Sequence, residues 1–99
     1  MSESSVSVFV GIDVSCDKLD IAWRSGQGWA MRKVANTWAD AQAFAAELSV
    51  KLPGCCCIAE YTGTYSSKVA LALCEAGVKV SLITPAQSKA FATMKHRTT

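Results

Sequence analysis

The hydrophobic pattern changes period once, near Thr37, and that change constrains the fold more than any other feature of the chain. Before it, Val6, Val8, Val10, Ile12 and Val14 alternate with other residues, Leu19, Ile21 and Trp23 alternate again, and WAMRKVAN (29–36) forms a third run. Alternation with period two marks a strand with one buried face. The links SCDK (15–18) and SGQG (25–28) are short and polar, which favours hairpins. The first three runs are therefore expected to form an antiparallel meander.

Beyond Thr37 the period becomes helical. Trp38, Ala41, Phe44, Ala45, Leu48 and Leu52 recur at helix spacing, Thr37 can cap with Asp40 three residues on, and Pro53-Gly54 stops the run. A fourth strand is expected over 55–60. A second helix follows, with a stripe of Tyr65, Val69, Ala72, Leu73 and Ala76 and Gly77 just past its end. VKVSLI (78–83) reads as a fifth strand. Thr84, Pro85 and Gln87 then make a start signal for a third helix carrying Ala86, Ala90, Phe91 and Met94. The order β-β-β-α-β-α-β-α implies a mixed sheet whose later strands run parallel to the first. Right-handed crossovers are expected to put helices over both faces. This is the element order of a ribonuclease-H-like sheet, with strands arranged 3-2-1-4-5.

Ninety-nine residues, half of them hydrophobic, suit a single domain with one core. A formal charge of +2 is too small to argue for nucleic acid, but no acid follows Glu75, while Lys79, Lys89, Lys95, His96 and Arg97 do. That basic quarter is an electrostatic footprint or a solvated helix face. The leader MSESSVS lacks the layout of a signal peptide, and no apolar run approaches the roughly 20 residues a membrane span needs. A cytoplasmic protein with no membrane partner is expected. Cys16, Cys55, Cys56, Cys57 and Cys74 show no CxxC spacing. Three adjacent cysteines in a strand point to alternate faces and cannot converge on one zinc ion, so all five read as small buried hydrophobes in a reducing compartment.

Two acids end apolar runs: Asp13 in FVGIDV and Glu60 in CCCIAE. If the first and fourth strands are parallel neighbours, their C-terminal ends lie about 4.8 Å apart, where ligands of open α/β sheets gather. Two close carboxylates repel unless they share a proton or a cation. A hard divalent ion suits such a site, so Asp13 and Glu60 are expected to bind Mg²⁺ or Mn²⁺; the alternative is that each is only a turn former or cap. Asp17 reads as a turn residue. Asp20 is expected to face solvent or to pair with Lys18 or Arg24. Thr62, Gly63 and Thr64 lie between a strand and a helix start, where amides can receive an anion, or where Thr64 caps the helix and Gly63 permits the turn. Tyr61 and Tyr65 could stack on a base, although Tyr65 reads better as core. The three tryptophans fall on core faces or strand ends, and His96 reads as a surface residue.

With these motifs in hand, VGIDVSCDKLDIA and AEYTGTYSSKVALALCEAGVKVSLITPAQSKAFATMKHRTT resemble the N-terminal RuvC-like domain of the DEDD insertion-sequence transposases, a family that includes bridge-RNA-guided recombinases and Piv-type invertases. The resemblance runs over nearly the whole chain and is weakest over 24–54. The family typically has Lys where Cys16 stands and often Asn where Thr84 stands. It implies metal-dependent DNA strand cleavage and transfer, with Asp13 and Glu60 as the first two catalytic, metal-binding acids. Thr62, Lys89, Lys95 and Arg97 are the expected nucleic-acid contacts. DNA is the implied partner, a guide RNA in some members, and the full-length protein is expected to be a homo-oligomer in a prokaryotic cytoplasm. The family's other two aspartates lie in a K-T-D-x-x-D-like segment expected right after MKHRTT. On that basis 1–99 is an N-terminal catalytic domain ending before its third and fourth acids, inactive alone and holding metal weakly.

Two other classes compete. An actin-like ATPase or sugar-kinase lobe shares the strand order and can begin GIDV, but holds phosphate with a hairpin rich in Gly, Ser and Thr. SCDKLD has acids and no glycine, which would repel phosphate. A non-catalytic oligomerisation module is the third reading. Nucleotide binding without DNA dependence would favour the second, association without metal binding the third.

Overall fold

Strand pairing in the computed structural model, which describes residues 8–84, builds one five-stranded sheet in the order β3-β2-β1-β4-β5. The elements are β1 (Phe9–Val14), β2 (Lys18–Ser25), β3 (Gly28–Ala35), α1 (Trp38–Lys51), β4 (Cys56–Glu60), α2 (Thr64–Glu75) and β5 (Lys79–Ile83). The meander is antiparallel, and β4 joins β1 and β5 in parallel, as the change of period requires. The expected third helix, with Lys89, Lys95, His96 and Arg97, lies outside the described residues.

Local chemistry sets the boundaries. The β2–β3 link has only Gly26 and Gln27 between the paired Ser25 and Gly28. Gly26 has φ of 60° while Gln27 keeps a negative φ, which is the pattern of a type II′ hairpin turn. Thr37 caps α1 by accepting a hydrogen bond from the Asp40 amide at 3.2 Å. At the end of α2 the Val78 amide reaches Leu73 O and the Gly77 amide reaches Cys74 O, a Schellman closure with Gly77 at φ of 79°.

The start of α2 differs from expectation. Gly63, not Thr64, is the N-cap, and the Ser66 and Ser67 hydroxyls donate back to Gly63 O. With φ of 66° and ψ of −129°, Gly63 occupies a region that side chains strongly disfavour, so the turn selects glycine and pushes Thr64 into the first helical turn.

Both described helices pack on one face of the sheet; the third helix, on which the expectation of helices over both faces also rests, lies outside the described residues. The crossovers β3–α1–β4 and β4–α2–β5 move in the same direction along the sheet, and connections of one hand moving in one direction leave their helices on one side. There Val10, Ile12, Leu19, Ile21, Cys57 and Ala59 meet Phe44, Leu48, Val69 and Leu73 in a single core. Each large side chain fully buried there contributes about 1.5–3 kcal/mol. Arg32 of β3 spans the edge of this layer, its guanidinium over the Phe44 ring and its Nη1 2.6 Å from Glu47 Oε1.

Several side chains depart from their expected places. Tyr65 is half exposed and Ser66 takes the buried position instead, because α2 starts one residue earlier than a Thr64 cap would allow. Trp38 is also partly exposed, at the first residue of α1. Among the cysteines, Cys55 and Cys57 are buried and Cys56 faces the other side, but Cys16 in the β1–β2 turn and Cys74 on the outer face of α2 are exposed.

Candidate metal site on the open sheet face

The face opposite α1 and α2 carries the odd residues of β1, namely Phe9, Gly11 and Asp13, and none of the described helices covers it. Its side chains fall into rows set by register. Ile12 pairs with Ala59 across β1 and β4, so one residue further on Asp13 and Glu60 stand level. Asp13 pairs with Asp20 across β1 and β2, and Asp20 pairs with Lys33 across β2 and β3. Glu60 pairs with Ile83 on the other side. One row therefore reads Lys33, Asp20, Asp13, Glu60, Ile83, at the C-terminal ends of the two central parallel strands. Asp13, Asp20, Lys33, Glu60 and Ile83 all line one groove of about 750 Å³, floored by Gly11, Ala22 and Ile58.

The two carboxylates predicted to act together are thus brought together, and the fold explains how. Val10, Ile12 and Val14 must face the helices, which turns Asp13 outward. Cys57 and Ala59 impose the same parity on β4, which turns Glu60 to the same side. Asp20 shares that side, but its charge is already engaged: Lys18 Nζ lies 3.8 Å from Oδ2 and Lys33 Nζ 3.9 Å from Oδ1. The pairing with Lys18 was expected. The one with Lys33 replaces the expected Arg24, whose guanidinium instead lies 5.7 Å from the centre of the Trp29 ring. The two-residue turn at Gly26-Gln27 carried that signal, since it sets Asp20 opposite Lys33.

The donor set fits a hard divalent cation. Asp13 and Glu60 offer carboxylate oxygens, and Mg²⁺ takes one or two carboxylates while keeping water or substrate oxygens in its other positions. No group of three His, Cys, Asp or Glu side chains forms a complete ligand cage among the described residues. The two carboxylates open onto the groove.

Thr62 follows Glu60 by two residues and is only partly exposed. Its amide donates to Ser66 Oγ at 3.2 Å, and its hydroxyl is buried, without a hydrogen-bond partner among the described residues. Tyr61 is exposed beside the row. Sequence reasoning missed Asn36, the residue between β3 and the α1 cap. It is buried, and its side-chain nitrogen donates to Ser15 O at 2.7 Å and to Tyr65 O at 2.9 Å. An asparagine before a capping threonine looks like ordinary loop chemistry, so no pattern in the sequence marks it.

No family model matches the chain, and no curated protein matches it. Solved structures do. The RuvC protein of T. thermophilus in complex with a Holliday junction substrate superposes with a TM-score of 0.61 at 18% identity, covering 84% of this chain and 68% of that one. A second structure of Thermus thermophilus RuvC gives a TM-score of 0.58 at 18% identity over 79% of this chain and 62% of that one. The chain thus spans about two thirds of the length of these structures, and at this identity the likeness is one of fold: a RuvC-like, ribonuclease-H-like sheet in the order 3-2-1-4-5.

Proposed function

We propose that this chain is the N-terminal catalytic domain of a DNA transposase or recombinase of the DEDD insertion-sequence class, cleaving and transferring DNA strands with Mg²⁺ or Mn²⁺. The observation that carries the reading is the row position of Asp13 and Glu60. They end adjacent parallel strands, share one face and line one open groove. The fold likeness to a RuvC protein in complex with a Holliday junction substrate supports it.

In this reading Asp13 and Glu60 would hold the divalent ion as two of its protein ligands. The bound metal supplies Lewis-acid stabilisation of phosphodiester oxygens. The protein residues do the rest. Asp13 and Glu60 set where the ion sits, the Lys18 and Lys33 ammonium groups keep Asp20 from competing for it, and the groove admits a strand from the side away from α1 and α2. The basic residues Lys89, Lys95 and Arg97 contact the DNA, whereas Thr62, with its hydroxyl buried and its amide on Ser66 Oγ, serves the turn instead. A guide RNA and self-association belong to the same proposal through the resemblance of the sequence motifs.

The test is metal binding followed by cleavage. Mn²⁺ added to the isotope-labelled chain should broaden amide signals around Asp13 and Glu60 first. In a full-length protein carrying this domain, Asp13→Asn and Glu60→Gln should each lower DNA cleavage about a hundred- to a thousandfold, comparable to removing a principal electrostatic stabiliser. Broadening elsewhere, together with ATP binding or with cleavage retained by both variants, would overturn the reading.

A further inference from the structure

A buried polar contact joins the β1–β2 turn to the first turn of α2, the helix that follows β4. Asn36 is 5% exposed and sits at the junction of β3 and α1. Its single side-chain nitrogen spends both protons on carbonyls of two other segments: Ser15 O, two residues past Asp13, and Tyr65 O, five residues past Glu60. Its backbone amide donates to Asp17 O at 3.0 Å, so it grips both sides of the β1–β2 turn. Asn36 thus adds side-chain bonds from the end of β3 to the β1–β2 turn and to the first turn of α2, beyond the strand pairing that ends at Lys18 and Ala35.

We infer that Asn36 is a positioning residue: it fixes the ends of β1 and β4 relative to each other and so sets the spacing of Asp13 and Glu60. The inference rests on the proposed metal role of that pair for its functional consequence, though not for its geometry. The chemistry selects asparagine. A carboxamide nitrogen offers two N–H donors from one atom, which two converging carbonyls require. An ionised aspartate only accepts and would turn a charge toward both carbonyls, and serine can satisfy only one. In a buried site such hydrogen bonds are strong and hold their geometry, because water does not compete for them. Thr62, whose amide is held by Ser66 Oγ, continues the same clamp on the β4 side.

The test compares Asn36→Ser and Asn36→Asp with Leu48→Ala, a core truncation near the other end of α1 that loosens the fold without touching the clamp. All are made in this chain, checked for folding by circular dichroism and studied well below their melting temperatures. In metal-free protein the Asn36 variants should show faster amide exchange over 13–17 and 60–66 than the parent, while Leu48→Ala leaves those segments as in the parent. On Mn²⁺ titration the Asn36 variants should bind about tenfold more weakly, the low end of what outer-shell changes cost, and Leu48→Ala should bind like the parent. Unchanged exchange over both segments in folded Asn36→Ser overturns the positioning role, as does an equal loss of Mn²⁺ affinity in Leu48→Ala. Should the parent itself show no Mn²⁺ broadening at Asp13 and Glu60, the metal reading fails, and local loosening in the Asn36 variants would still establish the clamp.

Discussion

Lys33 Nζ stands 3.9 Å from Oδ1 of Asp20, the residue paired with Asp13 in the same row. That contact separates the roles of three neighbouring acids. Asp20 is shared between two lysines, whereas no ion pair engages Asp13 or Glu60 among the described residues. Asp20→Asn should therefore change Mn²⁺ affinity by less than about threefold, the scale of a lost surface interaction below 1 kcal/mol. Asp13→Asn should abolish measurable binding. Calorimetric titration of both variants checks this, and equal losses would make Asp20 a ligand.

Without metal, the neighbouring carboxylates of the row repel. Two unit charges 4 Å apart in water interact by about 1 kcal/mol, so Asp13→Asn should stabilise the metal-free fold by up to that amount. Saturating Mg²⁺ should remove the advantage, because only the parent gains from binding. Urea denaturation with and without Mg²⁺ reads both effects. A variant less stable than the parent in the absence of metal would show that Asp13 serves the fold instead.

Gly63 should resist substitution. A Cβ there meets no atom within 4 Å, so the cost of Gly63→Ala is purely that of the backbone at φ of 66°. Residues forced into such regions cost about 1–3 kcal/mol, and the urea midpoint should fall accordingly. Thr64→Ala, which removes no capping bond, should change it little.

Glu47 gives a pH signature. The Arg32 guanidinium at 2.6 Å and then the Lys51 ammonium at 3.0 Å hold its carboxyl down from 4.5 to about 2. A carboxyl with a lower pKa in the folded state than in the unfolded one stabilises above the unfolded value, and loses that contribution as pH falls through the folded value. The melting temperature of the parent should exceed that of Glu47→Gln by a constant margin above about pH 5, and the margin should close between 4.5 and about 2. A margin that persists at pH 2 would place its origin in packing.

The thiols should fall into classes. Burial raises the Cys57 thiol far above its ordinary range and raises Cys55 as well, while Cys16 and Cys74 are exposed. Because the thiolate is the nucleophile, a disulfide reagent at pH 8 should label Cys16 and Cys74 quickly, and Cys55 and Cys57 only on unfolding. Fast labelling of Cys57 in native protein would contradict its burial.

The sequence by itself determined the elements from β1 to β5 and their order. Alternation through Val10, Ile12 and Val14, helical spacing through Ala41, Phe44 and Leu48, and the stop at Pro53-Gly54 are local properties, written in neighbouring residues. The same parity turned Asp13 and Glu60 outward, so the candidate pair was legible once β1 and β4 were taken as neighbours. Only the tertiary structure decided what depends on residues far apart in the chain. The direction of both crossovers put α1 and α2 on one face and left the acidic row on the other. The convergence of two carbonyls, from Ser15 and Tyr65, made Asn36 a buried clamp, because a carboxamide has no role until the fold supplies its two acceptors.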